Sequence, residues 1–313
     1  MASAIHKYLL APRLPSIAAG FIEDSFTVVD LRRSRNRFML ASSAVTALPP
    51  GVITPSFDSE NIHIPAEVRD IIVQTSEAAG LAGKKRWSVA LPEGAARTLI
   101  ITLESKPESR RELNEVLAWK IERVLATPAS ALRISRQRLS PVAGQERFLI
   151  TAARNEVLAE YESVFEAAGW QVGLLLPGHI GEAQWLTWDQ SPGDKMLVSA
   201  NRTGFISVVT RNGELALVRA YACEPESRID ELHRFALYYR DRLVETTGSA
   251  PDLNGLLVLG HLDRREAQSA VSDALDGTPH LINPEEFGFN LTGEPIEFDH
   301  LAGAAGLASL CWQ

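Results

Sequence analysis

Apolar and β-branched residues fill Leu197–Val198, Phe205–Val209 and Leu215–Val218 within the stretch Met196–Tyr221. Asn212-Gly213 separates the last two runs. Asn-Gly readily takes the positive φ angles of a tight hairpin turn, so the pattern predicts three strands in sequence, the last two a hairpin. Ile229, Leu232, Ala236, Tyr239 and Leu243 then recur at three- and four-residue steps, which predicts an amphipathic helix over Glu226–Thr246. A short buried strand, Gly255–Leu259, follows. A second helix opens at Asp263-Arg-Arg-Glu266, where Asp263 has the spacing of a cap.

The same order of elements stands near the N-terminus. Gly20–Leu31 and Arg37–Leu48 read as two strands joined by the polar Arg32–Asn36. A helix follows over Ala66–Ala79, with Val68, Ile71, Ile72 and Ala79 on one face. Pro65 stands at its start, where a missing N–H costs nothing. Trp87–Leu91 is the next strand. Strands, helix, strand, twice over, imply a duplicated α/β unit with a ligand cleft between the copies.

The repeat is interrupted once. Thr98–Leu103, Leu132–Leu139 and Phe148–Ala152 read as strands, with a turn over Ser140–Gln145. Ser109–Ala126 reads as a helix with Leu113, Val116, Leu117, Ile121 and Val124 facing inward. This is a small α/β insertion. Asn155–Ala168 is the next helix, with Asn155 in the cap role and Gly169 past its end. Gln171–Leu176 returns as a strand, His179–Trp188 as a helix, and Ser191-Pro192-Gly193-Asp194 as a linker. The expected division is a loosely ordered lead-in over 1–16, a first half over 17–94 and 152–190, an inserted subdomain over 95–151, and a second half over 195–313. The last half ends in the small-residue helix Leu301–Leu310.

Composition narrows the function classes. A chain of 313 residues exceeds one ordinary core, and 45% hydrophobic with 22% charged residues is ordinary globular usage. A net charge of −8 argues against nucleic acid as a partner, and Lys84-Lys85-Arg86 reads as solvated surface. Cys223 and Cys311 are too few for a disulfide framework or a metal cage and read as buried small hydrophobes. No apolar run approaches the ~20 residues that span a bilayer. On the helix Ser109–Ala126, Arg110, Arg111, Lys120 and Arg123 are offset by Glu108, Glu112, Glu115 and Glu122, which excludes a basic membrane-binding face. The expectation is a cytosolic protein that reaches a membrane only through a partner.

Candidate chemistry is sparse. His261 near Asp263 reads as part of a helix cap, while His179 and His280 each stand alone. Ser25 and Ser199 have no base nearby in sequence, and no Gly-x-Ser-x-Gly elbow exists. Trp185 and Trp188 read as packing residues, and Glu77, Glu104 and Glu122 as surface acids. No enzyme signature emerges.

Five strings, in order along the chain, resemble the PilM family of type IV pilus assembly proteins. They are Leu48-Pro49-Pro50-Gly51-Val52-Ile53, Val89-Ala90-Leu91-Pro92, Leu117-Ala118-Trp119-Lys120-Ile121-Glu122, Gly213-Glu214-Leu215 with Val218-Arg219, and Ala305-Gly306-Leu307-Ala308. The resemblance implies an α/β, actin-like (ribonuclease H-like) duplicated fold with an inserted subdomain. That fold grips ATP with two hairpins, each carrying an Asp and a Gly, so that backbone N–H groups approach the phosphates and the Asp organises hydrated Mg²⁺. Here Gly20 falls where the first Asp belongs and Ile22 where the Gly belongs, followed by Glu23, Asp24 and Ser25. Ser199-Ala200-Asn201 replaces the second Asp-x-Gly, and Gly260-His261-Leu262 replaces the glycines of the adenosine loop. The nucleotide site therefore reads as degenerate, with no ATP or Mg²⁺ cofactor and no catalytic residues.

The implied role is a non-catalytic scaffold of a type IV pilus inner-membrane platform. Its implied partner is the cytoplasmic N-terminal peptide of a PilN-like single-span membrane protein, with other platform or motor proteins as further partners. The implied groove lies between the first half's sheet and the inserted subdomain, and Leu113 and Leu117 are candidate partner-binding residues. The alternatives are an active ATPase of the same machinery, or the cytoplasmic part of a GspL-like type II secretion protein. The latter is expected to continue into a membrane span, which this sequence lacks.

Overall fold

A computed structural model describes residues 14–35, 37–189, 191–248, 250–289 and 296–312. The lead-in expected over Met1–Ser16 falls almost wholly outside them. Asn212 and Gly213 take φ of 51° and 78°, the left-handed pair that a two-residue hairpin needs. They join β10 (Gly204–Arg211) to β11 (Glu214–Ala222). β9 (Asp194–Asn201) pairs antiparallel with β10, and β12 (Leu253–Gly260) and β13 (His280–Leu281) add in parallel. The resulting order is β11-β10-β9-β12-β13.

The N-terminal sheet repeats that topology. Its strands are β1 (Ile17–Ile22), β2 (Ser25–Ser34), β3 (Arg37–Ala47), β4 (Arg86–Leu91) and β8 (Gln171–Pro177), in the order β3-β2-β1-β4-β8. One expectation is corrected here. Gly20–Leu31 is not a single strand but the end of β1, a tight turn at Glu23-Asp24, and most of β2, with Ile22 opposite Ser25. The turn has no Asn-Gly or proline to announce it. Glu23 takes the positive φ (45°) itself, and β1 is buried on both faces, so its run of apolar residues merges with β2.

Both sheets are buried on both sides. Phe21, Phe26 and Val28 face α1 (Pro65–Ala78) and α3 (Asn155–Ala167), where Val68, Ile72, Tyr161 and Phe165 cover them. Ala18, Val29 and Leu31 on the opposite face share a core with Leu197, Val208 and Leu257 of the second sheet. Between the sheets lie α4 (Gly178–Trp188) and α7 (Phe298–Ser309). The outer face of the second sheet packs on α5 (Arg228–Thr247) and α6 (Arg264–Leu275) through Leu232, Phe235, Ala236 and Val271. The order of layers is thus helices, sheet, helices, sheet, helices. Alternate residues of each strand serve alternate faces.

The central helices cross at backbone contact. A Cβ on Gly306 would stand 1.8 Å from the Gly181 carbonyl oxygen, and one on Gly181 would stand 2.0 Å from that of Gly303. Trp185 closes the crossing by donating its indole N–H to the Ala302 carbonyl at 2.9 Å. The packing roles expected of Trp185 and Trp188 are observed; the latter donates to the Ser309 hydroxyl at 3.1 Å.

A third sheet, β5-β7-β6, is built from β5 (Arg97–Thr102), β6 (Leu132–Val142) and β7 (Gln145–Arg154), with α2 (Arg110–Leu125) across it. Ser109 caps α2 by accepting from the Glu112 N–H. Leu117 and Ile121 enter its core with Ile101, Phe148 and Ile150, but Val124, expected inward, is 63% exposed. Asn155 is not a cap either. Arg154 holds that position, and the Asn155 amide donates to the Ser130 carbonyl at 3.2 Å. Cys223 and Cys311 are both half-buried free thiols.

Candidate functional site

The turn between β1 and β2 and the turn between β9 and β10 face each other across the junction of the two sheets. In the first turn Gly20 lies within β1, opposite Thr27. A Cβ at that position would stand 3.1 Å from Thr27 Cγ2, 3.4 Å from Ala304 and 3.6 Å from Ala90. Methyl groups occupy the space into which a metal-organising acid would point. Ile22 ends the strand, and the Ser25 hydroxyl, buried, donates back to the Ile22 carbonyl at 3.1 Å.

Two acids sit at the tip. Glu23 accepts the backbone N–H of Arg202 with one oxygen, and its other oxygen lies 3.0 Å from His261 Nε2. Asp24 meets the Arg202 guanidinium at 2.6 Å. In the second turn Asn201 Oδ1 accepts from the Thr203 N–H and hydroxyl, each at 2.9 Å, so its side chain is spent on its own loop. The third loop is tied in as well. Arg228, buried, donates to the carbonyls of His261 (2.9 Å) and Arg202 (3.1 Å). Gly260 donates its N–H to Asp299 at 2.9 Å. With φ of 77° and a would-be Cβ 1.9 Å from the Ala200 carbonyl oxygen, only glycine fits there. The Asp263 carboxylate caps α6 by accepting from the N–H groups of Arg265 and Glu266 at 2.9 Å, the role expected of it. These residues do not fit a Mg·nucleotide. Glu23 and Asp24 would repel a phosphate chain, and both are already engaged by Arg202 and His261.

Below this cleft the histidine that stands alone in sequence has two partners. His179, 1% exposed, places Nδ1 2.7 Å from Glu93 and Nε2 2.9 Å from the Thr98 hydroxyl. Burial alone would lower the His179 pKa, but the charge and hydrogen bond of Glu93, with the charge of Glu182, raise it. Burial would likewise raise Glu93, yet the charge and hydrogen bonds of His179 bring it below its ordinary value. The pair is ionic. Glu182, one turn along α4, has an oxygen that is fully buried without a partner. Burial and the Glu93 charge push its carboxyl up to about 7, against a hydrogen bond from Ser199. Ser199 therefore donates to a buried carboxyl rather than to a histidine, which is not the arrangement that activates a serine. Among the described residues no group of three His, Cys, Asp or Glu side chains could hold a metal. His280 pairs with Glu286 at 2.9 Å.

Two grooves flank the line where the three-stranded sheet meets β11. One, of about 720 Å³, is lined by Gln137, Leu139 and Leu149 from that sheet, by Leu176, Ile180 and Ala183 from β8 and α4, and by Leu215 and Val218 of β11. It lies where the groove was expected, except that β11 of the second sheet supplies a third wall. The other, of about 900 Å³, lies between β5, the β6–β7 turn, β11 and α5. Leu113 and Leu117 line neither. Both belong to the core of the three-stranded sheet, Leu117 at 2% exposure, because a helix lying on a small sheet must spend its apolar stripe there. The lining residues Ile180, Ala183 and Leu215 gave no sequence signal beyond ordinary apolar patterning. No helix among the described residues is long and apolar enough to cross a membrane.

No family model and no curated protein matches this sequence. Solved structures do resemble the fold. A PilM–PilN type IV pilus biogenesis complex contains a chain that superposes with a TM-score of 0.74 at 17% identity, covering 96% of this chain and 100% of the other. A Bacteroides thetaiotaomicron protein with an actin-like ATPase fold gives 0.50 at 11% identity, covering 88% and 93%. The cytoplasmic domain of EpsL, an inner-membrane component of the type II secretion system of Vibrio cholerae, gives 0.47 at 12% identity, covering 79% and 83%. The duplicated sheets and the first two of these likenesses establish the actin-like ATPase fold.

Proposed function

We propose that this protein is a non-catalytic scaffold of a type IV pilus inner-membrane platform. The observation that carries the reading is that the two turns which would grip a phosphate chain grip each other, through Glu23, Asp24, Arg202 and His261. No ligand is needed to bring them together. In this reading the protein has no ATP or Mg²⁺ cofactor, and its work is done by the groove of about 720 Å³ beside α4. That groove receives the short cytoplasmic peptide of a PilN-like single-span membrane protein, which carries the scaffold to the membrane. The likeness to a PilM–PilN complex supports the partner. Apolar walls from Leu139, Leu149, Ile180 and Leu215 suit a few apolar side chains entering a preformed groove.

Titration calorimetry tests both halves. Mg·ATP is expected to give no heat of binding; micromolar affinity, about −8 kcal/mol, would overturn the nucleotide-free reading. A synthetic peptide with the N-terminal sequence of a PilN-like single-span protein is expected to bind, and its binding to be lost in Ile180→Asp. Binding that survives Ile180→Asp in a folded protein would place the peptide elsewhere.

A further inference from the structure

The larger groove has a different chemistry from the one beside α4. Its cationic lining comes from Arg147 on β7, Arg211 at the end of β10, Arg219 on β11 and Arg242 on α5, and one acid, Glu214, lies among them. Arg147 donates to the Ala216 carbonyl, and burial together with the charge of Arg242 lowers its pKa; Glu214 offsets this only in part. Arg219 lies over the rings of Tyr221 and Tyr238 at 5.2 and 5.0 Å. Arg211 stands 3.9 Å from Asp194, a carboxylate that Tyr239 already engages. Four arginines against Glu214 and Asp194 leave the groove with a positive excess, whereas the charges of the cleft balance.

Two strand edges also face the groove. β5 is an outer strand of the three-stranded sheet and β11 an outer strand of the five-stranded sheet. Both line the groove, and among the described residues they share no ladder with each other. Apolar side chains, Leu99, Val142, Leu217 and Leu243, stand between the arginines. An extended chain laid on a strand edge gains main-chain hydrogen bonds and presents alternate side chains to alternate walls. Arginine matches carboxylates through paired N–H donors.

We infer that this groove is a second protein-docking site, which takes an extended acidic segment of a partner, apolar and carboxylate side chains alternating, by strand addition to β11 or β5. The net charge of −8 makes the contrast sharper, because this patch is cationic on an acidic protein. Carboxylates therefore have a specific place to go, and nucleic acid is repelled elsewhere on the surface.

Fluorescence anisotropy with the intact protein tests the inference, using a labelled nonapeptide that alternates Glu with Val and Leu as the probe. It is expected to bind about tenfold or more tightly than the same peptide with Lys in place of Glu, and to weaken as salt rises. Arg242→Glu is expected to reverse that preference. Should Arg242→Glu fail to fold by circular dichroism, Arg211→Gln serves, with a weakening of about threefold or more expected. Bound peptide is expected to slow hydrogen exchange along β11 or β5. Equal binding of the Glu and Lys peptides would overturn the proposal. So would equal binding by a version with proline at every third position, which cannot add as a strand, or preferential binding of a single-stranded oligonucleotide. Ile180→Asp, which touches only the other groove, is expected to leave this binding unchanged.

Discussion

The cleft between the two turns and the arginine-lined groove both lie where the halves of the molecule meet, and their electrostatics are opposite. In the cleft, Glu23 and Asp24 from one turn meet Arg202 from the second and His261 from the loop after β12, and Asp299 takes Gly260 and Arg264. Donor and acceptor come from the same chain, so the site is complete without a ligand. In the groove, four arginines outnumber the single lining acid Glu214, and β5 and β11 each present an outer edge. A junction whose charges balance holds a fold together, whereas a groove with an excess of one sign attracts the other.

The largest expected effect breaks both junctions at once. Gly306→Val puts carbon where a Cβ would already stand 1.8 Å from the Gly181 carbonyl oxygen. α7 and α4 cannot then cross, and the sheets lose their common layer. A loss above about 4 kcal/mol, or no folded protein at all, is expected from denaturant unfolding followed by circular dichroism. A variant with wild-type stability would mean that the halves are positioned by something other than this crossing.

A smaller effect concerns the buried acids beneath Thr98, a residue that lines both grooves. The Glu182 carboxyl is raised to about 7 in the folded state from its ordinary 4.5. It therefore favours folding least when ionised: stability is highest at low pH and falls as pH climbs from about 4.5 to about 7. His179, also raised, adds to the same slope, since its contribution is full below its ordinary 6.5 and is lost as pH rises through its folded value. Glu93, lowered, acts oppositely, its contribution being lost on acidification. The melting temperature is expected to be lower at pH 8 than at pH 5.5. Glu182→Gln is expected to recover roughly 1–3 kcal/mol at pH 8 and little at pH 5. An unchanged pH profile in that variant would remove Glu182 as the source.

The smallest effect is at the clasp itself. The Arg202 side chain is 65% exposed, so its ion pairs are screened, and Arg202→Ala is expected to cost under about 1 kcal/mol. Faster hydrogen exchange in the two turns is the expected signature, with the arginine groove untouched. Should the variant instead acquire Mg·ATP affinity, the clasp would prove to be a plug over a competent site.

Legibility followed sequence distance. The Asn212-Gly213 hairpin, the Pro65 helix start, the Asp263 cap and the stripe of α5 were all readable, because each is decided by residues within a turn or two of one another. The Glu23-Asp24 turn was not, since the positive φ falls on Glu23, a residue that rarely takes it, and both flanking strands are apolar. Leu113 and Leu117 were misplaced for another reason. Their stripe says that one face is covered, and cannot say whether by its own sheet or by a partner.

By itself the sequence determined the two repeated units, the interruption between them and which residues, Gly20, Ile22, Ser199 and Asn201, stand in and beside the first two turns. Periodicity and residue type are local, and burial of each strand on both faces leaves a continuous apolar record. Only the tertiary structure decided what those turns do instead. Glu23 and Arg202 are 179 residues apart, and His179 and Glu93 are 86 apart. No local preference relates such residues. They meet because α4 and α7 lie at backbone contact between the sheets, and that contact sets the angle at which one turn faces the other. The same docking brings β11 against the three-stranded sheet and gathers arginines from β7, β10, β11 and α5 into one groove. Charges scattered along a chain acquire a sign as a surface only when the layers are stacked.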